Sequence, residues 1–211
     1  MKNYLDLMTE CSVDGIDMLN ERTGIVCRTL VGAQLEYDMA EGFPAATSKK
    51  LAFKAVKGEL LGFFRGCTNA ADFRALDCKI WDANANKTKA WLENPFRKGT
   101  DDLGRIYSAQ WTDWKDTVIV ALSDFPEQYE ILLAAGYIDI GLTYAAGRIM
   151  QRSINQLEEA LYTILTNPSD RRIIVSGWNP GDINKAALPA CHMDYRFTPI
   201  DGTLHVVMTI R

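Results

Sequence analysis

Leu188-Pro189-Ala190-Cys191-His192 sits between two apolar runs, and the fold turns on what flanks it. Upstream, Arg171-Arg172-Ile173-Ile174-Val175-Ser176-Gly177-Trp178-Asn179-Pro180 carries paired arginines into a short apolar strand. Downstream, Tyr195 and Phe197 alternate, and Asp201-Gly202 is the turn of a hairpin. Leu204, Val206, Met208 and Ile210 then share one face of the next strand, while His205, Val207, Thr209 and Arg211 share the other.

Working outward, Ser153 is expected to cap a helix with Ile154, Leu157, Leu161, Ile164 and Leu165 on one face. Thr117 to Leu122 reads as a strand and Glu127 to Ala135 as a helix. Tyr107, Trp111 and Trp114 cluster, and their pattern alone favours core or aromatic surface packing. Asn84 to Asp102 is polar and reads as loop with some helix, and Ala70 to Leu76 as a short helix. Phe53, Val56, Leu60, Phe63 and Phe64 recur at helical spacing. Glu59 lies beside that stripe, so its carboxylate must be exposed, paired or functional, because burying it alone is costly. Ile25 to Met39 reads as strand, with Gly32 marking a bulge or close approach. Asn20-Glu21-Arg22-Thr23-Gly24 is a polar turn in which Arg22 is a solvated charge or an anion contact. Tyr4, Leu7, Met8 and Cys11 mark an N-terminal amphipathic helix.

With 211 residues, 47% hydrophobic and 24% charged, the chain fits one domain over 1–211 with a true core. A net charge of -4 argues against a general nucleic-acid binder, yet leaves room for a local basic pocket. No secretory segment opens the chain and no long apolar run follows, so a cytoplasmic protein without membrane association is expected. Cys11, Cys27, Cys67, Cys78 and Cys191 are odd in number and widely spread, which speaks against a disulfide framework and against a zinc site. No metal is expected.

Most cysteines are small buried hydrophobes. Cys191 differs because a polar turn meets a strand there, with Arg171, Arg172 and Arg211 at nearby strand ends, and positive charge favours the thiolate. Paired guanidinium forks also match phosphate oxygens. Adjacent strand residues point to opposite faces, so His192 is not expected to be the base for Cys191, which counts against a papain-like hydrolase. The residues alone thus point to a thiolate acting on a phosphorylated small molecule.

Arg22-Thr23-Gly24, Gly42-Phe43-Pro44, Glu59-Leu60-Leu61, Ile80-Trp81-Asp82, Leu103-Gly104-Arg105-Ile106-Tyr107, Gln110-Trp111, Ser169 to Ser176 and Leu188 to His192 occur in the order seen in thymidylate synthases. The chain resembles that family over nearly its whole length. The resemblance implies an α+β fold with a large mixed sheet, flanking helices and a homodimer formed through the sheet face. It implies dUMP or a related pyrimidine nucleotide as substrate and 5,10-methylenetetrahydrofolate as cosubstrate. Cys191 matches the nucleophile that adds to C6 of the pyrimidine. Glu59 and Tyr107 match proton-handling residues. Arg22 and Arg211 match phosphate ligands within a subunit, and Arg171 and Arg172 those that reach across the dimer. Trp81 matches an aromatic near the folate, and Lys49 a cation near its glutamate tail.

Departures from the family pattern gather on the folate side. Ala190 replaces a proline, Asn84 a second tryptophan, Ala52 a histidine and Cys67 an aspartate, and 112–152 include an insertion. Family members continue where this chain ends at Arg211, so a domain lacking the C-terminal part and its base-reading asparagine is expected. Uracil and cytosine stay open. Reductive methylation of dUMP to dTMP stands first. A phage-type dUMP or dCMP hydroxymethylase is the alternative, followed by an inactive truncated relative that binds nucleotide or a partner subunit.

Overall fold

A computed structural model describes residues 2–21, 24–143 and 147–211. The chain forms two compact units, residues 1–52 and 53–211. In the first, helix α1 (Lys2–Asp14) precedes the antiparallel pair β1 (Ile16–Asn20) and β2 (Ile25–Thr29). The Arg28 side chain ties this pair to the helix, donating from Nη2 to Val13 O at 3.2 Å and from Nη1 to Asp17 Oδ1 at 3.1 Å. The strand expected over Ile25 to Met39 stops at Thr29. Gly32 takes a left-handed φ of 78°, which ends the extended run, and Met39–Glu41 is a single 3₁₀ turn.

In the second unit, helix α2 (Phe53–Phe64) leads to α3 (Ala70–Ala75), α4 (Asp82–Asn86), α5 (Lys89–Leu92) and α6 (Tyr107–Thr112). Asn69 caps α3 by accepting from Ala71 N at 2.8 Å. Gly58 and Gly62 lie on the buried face of α2. A Cβ on Gly58 would stand 2.0 Å from Leu76 O, and one on Gly62 would stand 2.3 Å from Phe73 Cε1. The helix therefore lies closer to its neighbours than any side chain at those positions permits. Phe63 then meets Tyr107, Trp111 and Phe73 at ring centroid distances of 4.9, 5.4 and 5.6 Å. Burying each such ring contributes roughly 2–3 kcal/mol. Trp81, Trp91, Leu103, Ile106, Ile173 and Val175 complete this core.

Strands β3 (Trp114–Ala121), β4 (Ile138–Leu142) and β5 (Gly147–Ile154) form a second antiparallel sheet in the order β3-β5-β4, crossed by α7 (Glu127–Ala134). Its own small core is Val120, Tyr137 and Met150. Ser153 and Ile154 belong to β5 and not to the next helix, because pairing with Lys115 and Trp114 claims them. The cap of α8 (Gln156–Thr166) is Asn155, which accepts from Glu158 N at 3.3 Å.

The third sheet, in the order β6-β7-β8, comprises β6 (Ile174–Ser176), β7 (His192–Ile200) and β8 (Thr203–Ile210). Asp201 and Gly202 both take positive φ, 47° and 77°, as the hairpin turn requires. The described residues thus make three separate antiparallel sheets of two, three and three strands, where one large mixed sheet was expected. Every strand pair among them is antiparallel, since β3, β4 and β5 and then β7 and β8 close as hairpins or short returns. No helix among the described residues is long and apolar enough to cross a membrane.

Candidate active site

Cys191 stands at the entrance to β7, half-buried. Its backbone N–H donates to the Tyr107 phenol at 2.5 Å, and the N–H of His192 donates to the same oxygen at 3.3 Å. Tyr107 opens α6 and is buried against Phe63, Trp81 and Trp111. Burial raises its pKa and the nearby Cys191 side chain adds to that, so the phenol keeps its proton at neutral pH. An oxygen that accepts two N–H groups still has that proton to give.

Glu59 projects from α2 next to Gly58. Desolvation raises its pKa, opposed by the Trp81 indole. Trp81 Nε1 has no partner of ordinary hydrogen-bond geometry among the described residues, and Glu59 is the polar group it acts on. Trp81 itself is only 3% exposed, wedged among Phe63, Phe73 and Tyr107. It reaches the site through Glu59 and presents no open ring face to a folate.

Arg211 arrives through the β7-β8 register, which sets Ile210 opposite His192. Its backbone N donates to Cys191 O at 3.0 Å, its Nε to Ala190 O at 2.9 Å and its Nη2 to Pro189 O at 3.4 Å. The guanidinium also lies 5.5 Å from the Trp178 ring centroid. The cation is thereby fixed beside the cysteine turn.

Arg171 and Arg172 are not brought to Cys191. Phe197 N donates to Ile173 O, so the paired arginines stand at the far end of β7, roughly 20 Å along the strand from Cys191. Arg172 forks onto Asp170, with Nε to Oδ1 at 3.0 Å and Nη2 to Oδ2 at 2.8 Å. That fork, with the Arg172 N–H, holds the Asp170 pKa down to about 2. Both arginines are exposed. Lys49 is exposed within the 1–52 unit, and Arg22 lies outside the described residues.

A buried polar network carries the loop before Cys191. Asp182 accepts from Arg105 Nε at 2.5 Å, Lys185 Nζ at 2.8 Å, Gln110 Nε2 at 3.0 Å and Asn179 Nδ2 at 3.3 Å. Burial opposes the charge, but Lys185, Gln110 and Arg105 hold the Asp182 pKa at about 2. Gln156 clips α8 to the same region, donating to Gln110 O at 2.7 Å and to Ser176 O at 3.0 Å while accepting from Ser176 N at 2.9 Å. Sequence reasoning found neither this network nor the contact of Tyr195 with His192, 3.0 Å from Oη to Nδ1. Gln110-Trp111 was visible as a motif, but its partner lies 72 residues away. No cluster of three His, Cys, Asp or Glu able to hold a metal occurs among the described residues.

A buried phenol on the cysteine N–H, a desolvated carboxyl and a fixed guanidinium suit nucleophilic addition coupled to proton transfer. The family model described as thymidylate synthase matches residues 2–211. Curated thymidylate synthases align over the whole chain: 43% identity over 213 residues in Pseudomonas putida and 42% over 213 in Bordetella parapertussis, each covering 65% of the relative. One from Vibrio parahaemolyticus is 37% identical over 212 residues, 64% of its length. The chain therefore spans about 65% of the length of the relatives it matches. With the motif order and the match over nearly every residue in agreement, the chain belongs to the thymidylate synthase family.

Proposed function

We propose that the protein catalyses reductive methylation of dUMP to dTMP, with 5,10-methylenetetrahydrofolate as cosubstrate. The single observation that carries this is the join of Cys191 to Tyr107, a half-buried thiol whose backbone N–H is held by a buried phenol. The Cys191 sulfur adds to C6 of the pyrimidine, which makes C5 a carbon nucleophile. The C5 proton leaves to water held beside Glu59, whose carboxyl pKa is raised by burial, while Tyr107, protonated at neutral pH, orders that water as an O–H donor. Loss of the sulfur from C6 restores the ring and frees the thiolate. Arg211 holds the nucleotide phosphate beside the cysteine turn. The folate supplies the one-carbon unit and the hydride. Trp81 offers it no exposed face, so no step is assigned to that residue.

Arg171 and Arg172, exposed and remote from their own Cys191, serve the phosphate site of a second copy in a homodimer. The activity test is a mixture of the protein, dUMP and methylenetetrahydrofolate, followed by dihydrofolate absorbance. A rise is expected. Tetrahydrofolate and a hydroxymethyl nucleotide in its place would overturn the methylation. Mass spectrometry after incubation with 5-fluoro-dUMP and the folate should locate a covalent adduct on Cys191.

A further inference from the structure

His192 and Tyr195 are three residues apart on one strand, a spacing that puts side chains on opposite faces of a regular β-strand. Here they meet. The reason is a bulge in β7: His192 pairs with Ile210 and Asp194 with Thr209, which leaves Met193 as a surplus residue. Gly177 N and Trp178 N both donate to Met193 O, at 2.8 and 3.2 Å, and fix it there. The alternation slips by one, and the Tyr195 Oη comes to 3.0 Å from His192 Nδ1, with the rings at 88°. Trp111 packs edge-on against Tyr195 at 5.4 Å and holds that ring from the other side.

The contact can be made in two ways. The phenol O–H can donate to a bare Nδ1, or Nδ1–H can donate to the phenol oxygen. In the first, the phenol proton and the Nδ1 lone pair are satisfied together. In the second, the phenol O–H is left over, and among the described residues Tyr195 Oη has no other hydrogen-bond partner. Each arrangement leaves one donor over, Nε2–H in the first and the phenol O–H in the second. The first is favoured because a phenol is the stronger donor and a bare imidazole nitrogen the stronger acceptor, which makes O–H···N the better bond. Burial also keeps Tyr195 protonated, its pKa pushed up to about 12 with Tyr107 and Glu59 adding to that, and burial favours the neutral form of His192.

We propose that Tyr195 is a positioning residue for His192: its phenol donates to Nδ1, confines the ring proton to Nε2, and gives the imidazole next to Cys191 one fixed hydrogen-bond donor. Nε2 makes no hydrogen bond to a described residue, so that donor is free for whatever occupies the site. Its value to catalysis rests on the function proposed above; the tautomer itself does not.

The chain has two histidines, so ¹⁵N-histidine labelling with His205→Gln leaves a single imidazole to read. Long-range ¹H–¹⁵N spectra of the ligand-free protein near neutral pH should show a neutral ring protonated at Nε2. Tyr195→Phe keeps the ring against Trp111 and should yield a mixture of both tautomers. A proton on Nδ1 in the unsubstituted Tyr195 protein overturns the proposal, and that spectrum needs no variant at position 195. So does an unchanged tautomer in Tyr195→Phe. An inactive protein that still shows the Nε2 tautomer would sink the proposed methylation and leave Tyr195 in its role.

Discussion

Around Cys191, Glu59 and the tyrosines stand without a cation among the causes of their shifted pKa values, and all shift upward. In the β3-β5-β4 sheet, each carboxylate that meets a tyrosine also meets an arginine. Asp116 takes the Tyr137 O–H and Arg152 Nε, the latter at 3.0 Å; Asp139 takes the Tyr129 O–H at 3.1 Å and Arg148 Nε at 2.5 Å. Tyr137 and Arg152 draw the Asp116 pKa down, and Arg148, the Gly141 N–H and Tyr129 together outweigh the burial of Asp139. The same side chains serve opposite ends. Burial without a counter-charge favours the protonated form. Pairing fixes the charge and makes it part of the scaffold.

That contrast is open to direct test. Cys191→Ser should lower turnover by about 10³-fold or more while nucleotide binding in equilibrium titration is retained, since the missing group acts only in the covalent step. Equal turnover would remove the sulfur from the chemistry. Glu59→Gln should cost about 10²-fold in kcat. It should also raise thermal stability at neutral pH. A carboxyl whose folded pKa lies above its unfolded value loses stability as pH rises through that interval, so the glutamine gain should vanish below the ordinary value of 4.5. Lower stability of the variant at pH 7 would show that Glu59 is paired after all.

Asp182 sharpens the rule because it lies near the site but is surrounded by Arg105 and Lys185. Asp182→Asn should destabilise by about 3 kcal/mol in urea unfolding. Its pKa is held at about 2, so its contribution is complete above the ordinary 3.8 and is lost as pH falls from there toward 2. The variant and the parent should therefore converge in stability at the acid end. Smallest of all, Asp116→Asn should cost less than about 1 kcal/mol, with the pair partly open to solvent, and should leave turnover unchanged. A large loss of kcat there would break the division between the two regions.

Much of this was legible in residues whose meaning is local. Asp201-Gly202 announced its hairpin, the 53–64 stripe its helix, and Glu59 its awkward place beside that stripe. Arg171, Arg172 and Arg211 were all readable as strand-end cations near Cys191, and the structure joins only Arg211 to that turn. What was hidden depends on pairing. Ser153 has the chemistry of a helix cap, but its register opposite Lys115 keeps it in a strand. A bulge leaves no mark on the alternation of Tyr195 and Phe197, so the imidazole contact was invisible. Asp182 and Gln110 meet only once a distant loop closes on helix α6.

The glycine pair at positions 58 and 62 sets how deeply the Glu59 carboxyl sinks beside the tryptophan. Adding a single methyl at either place would lift the whole rod outward and carry the acid toward water, where it would titrate like any other. The acidity of the Glu59 carboxyl is thus tuned by two hydrogen atoms that never touch it.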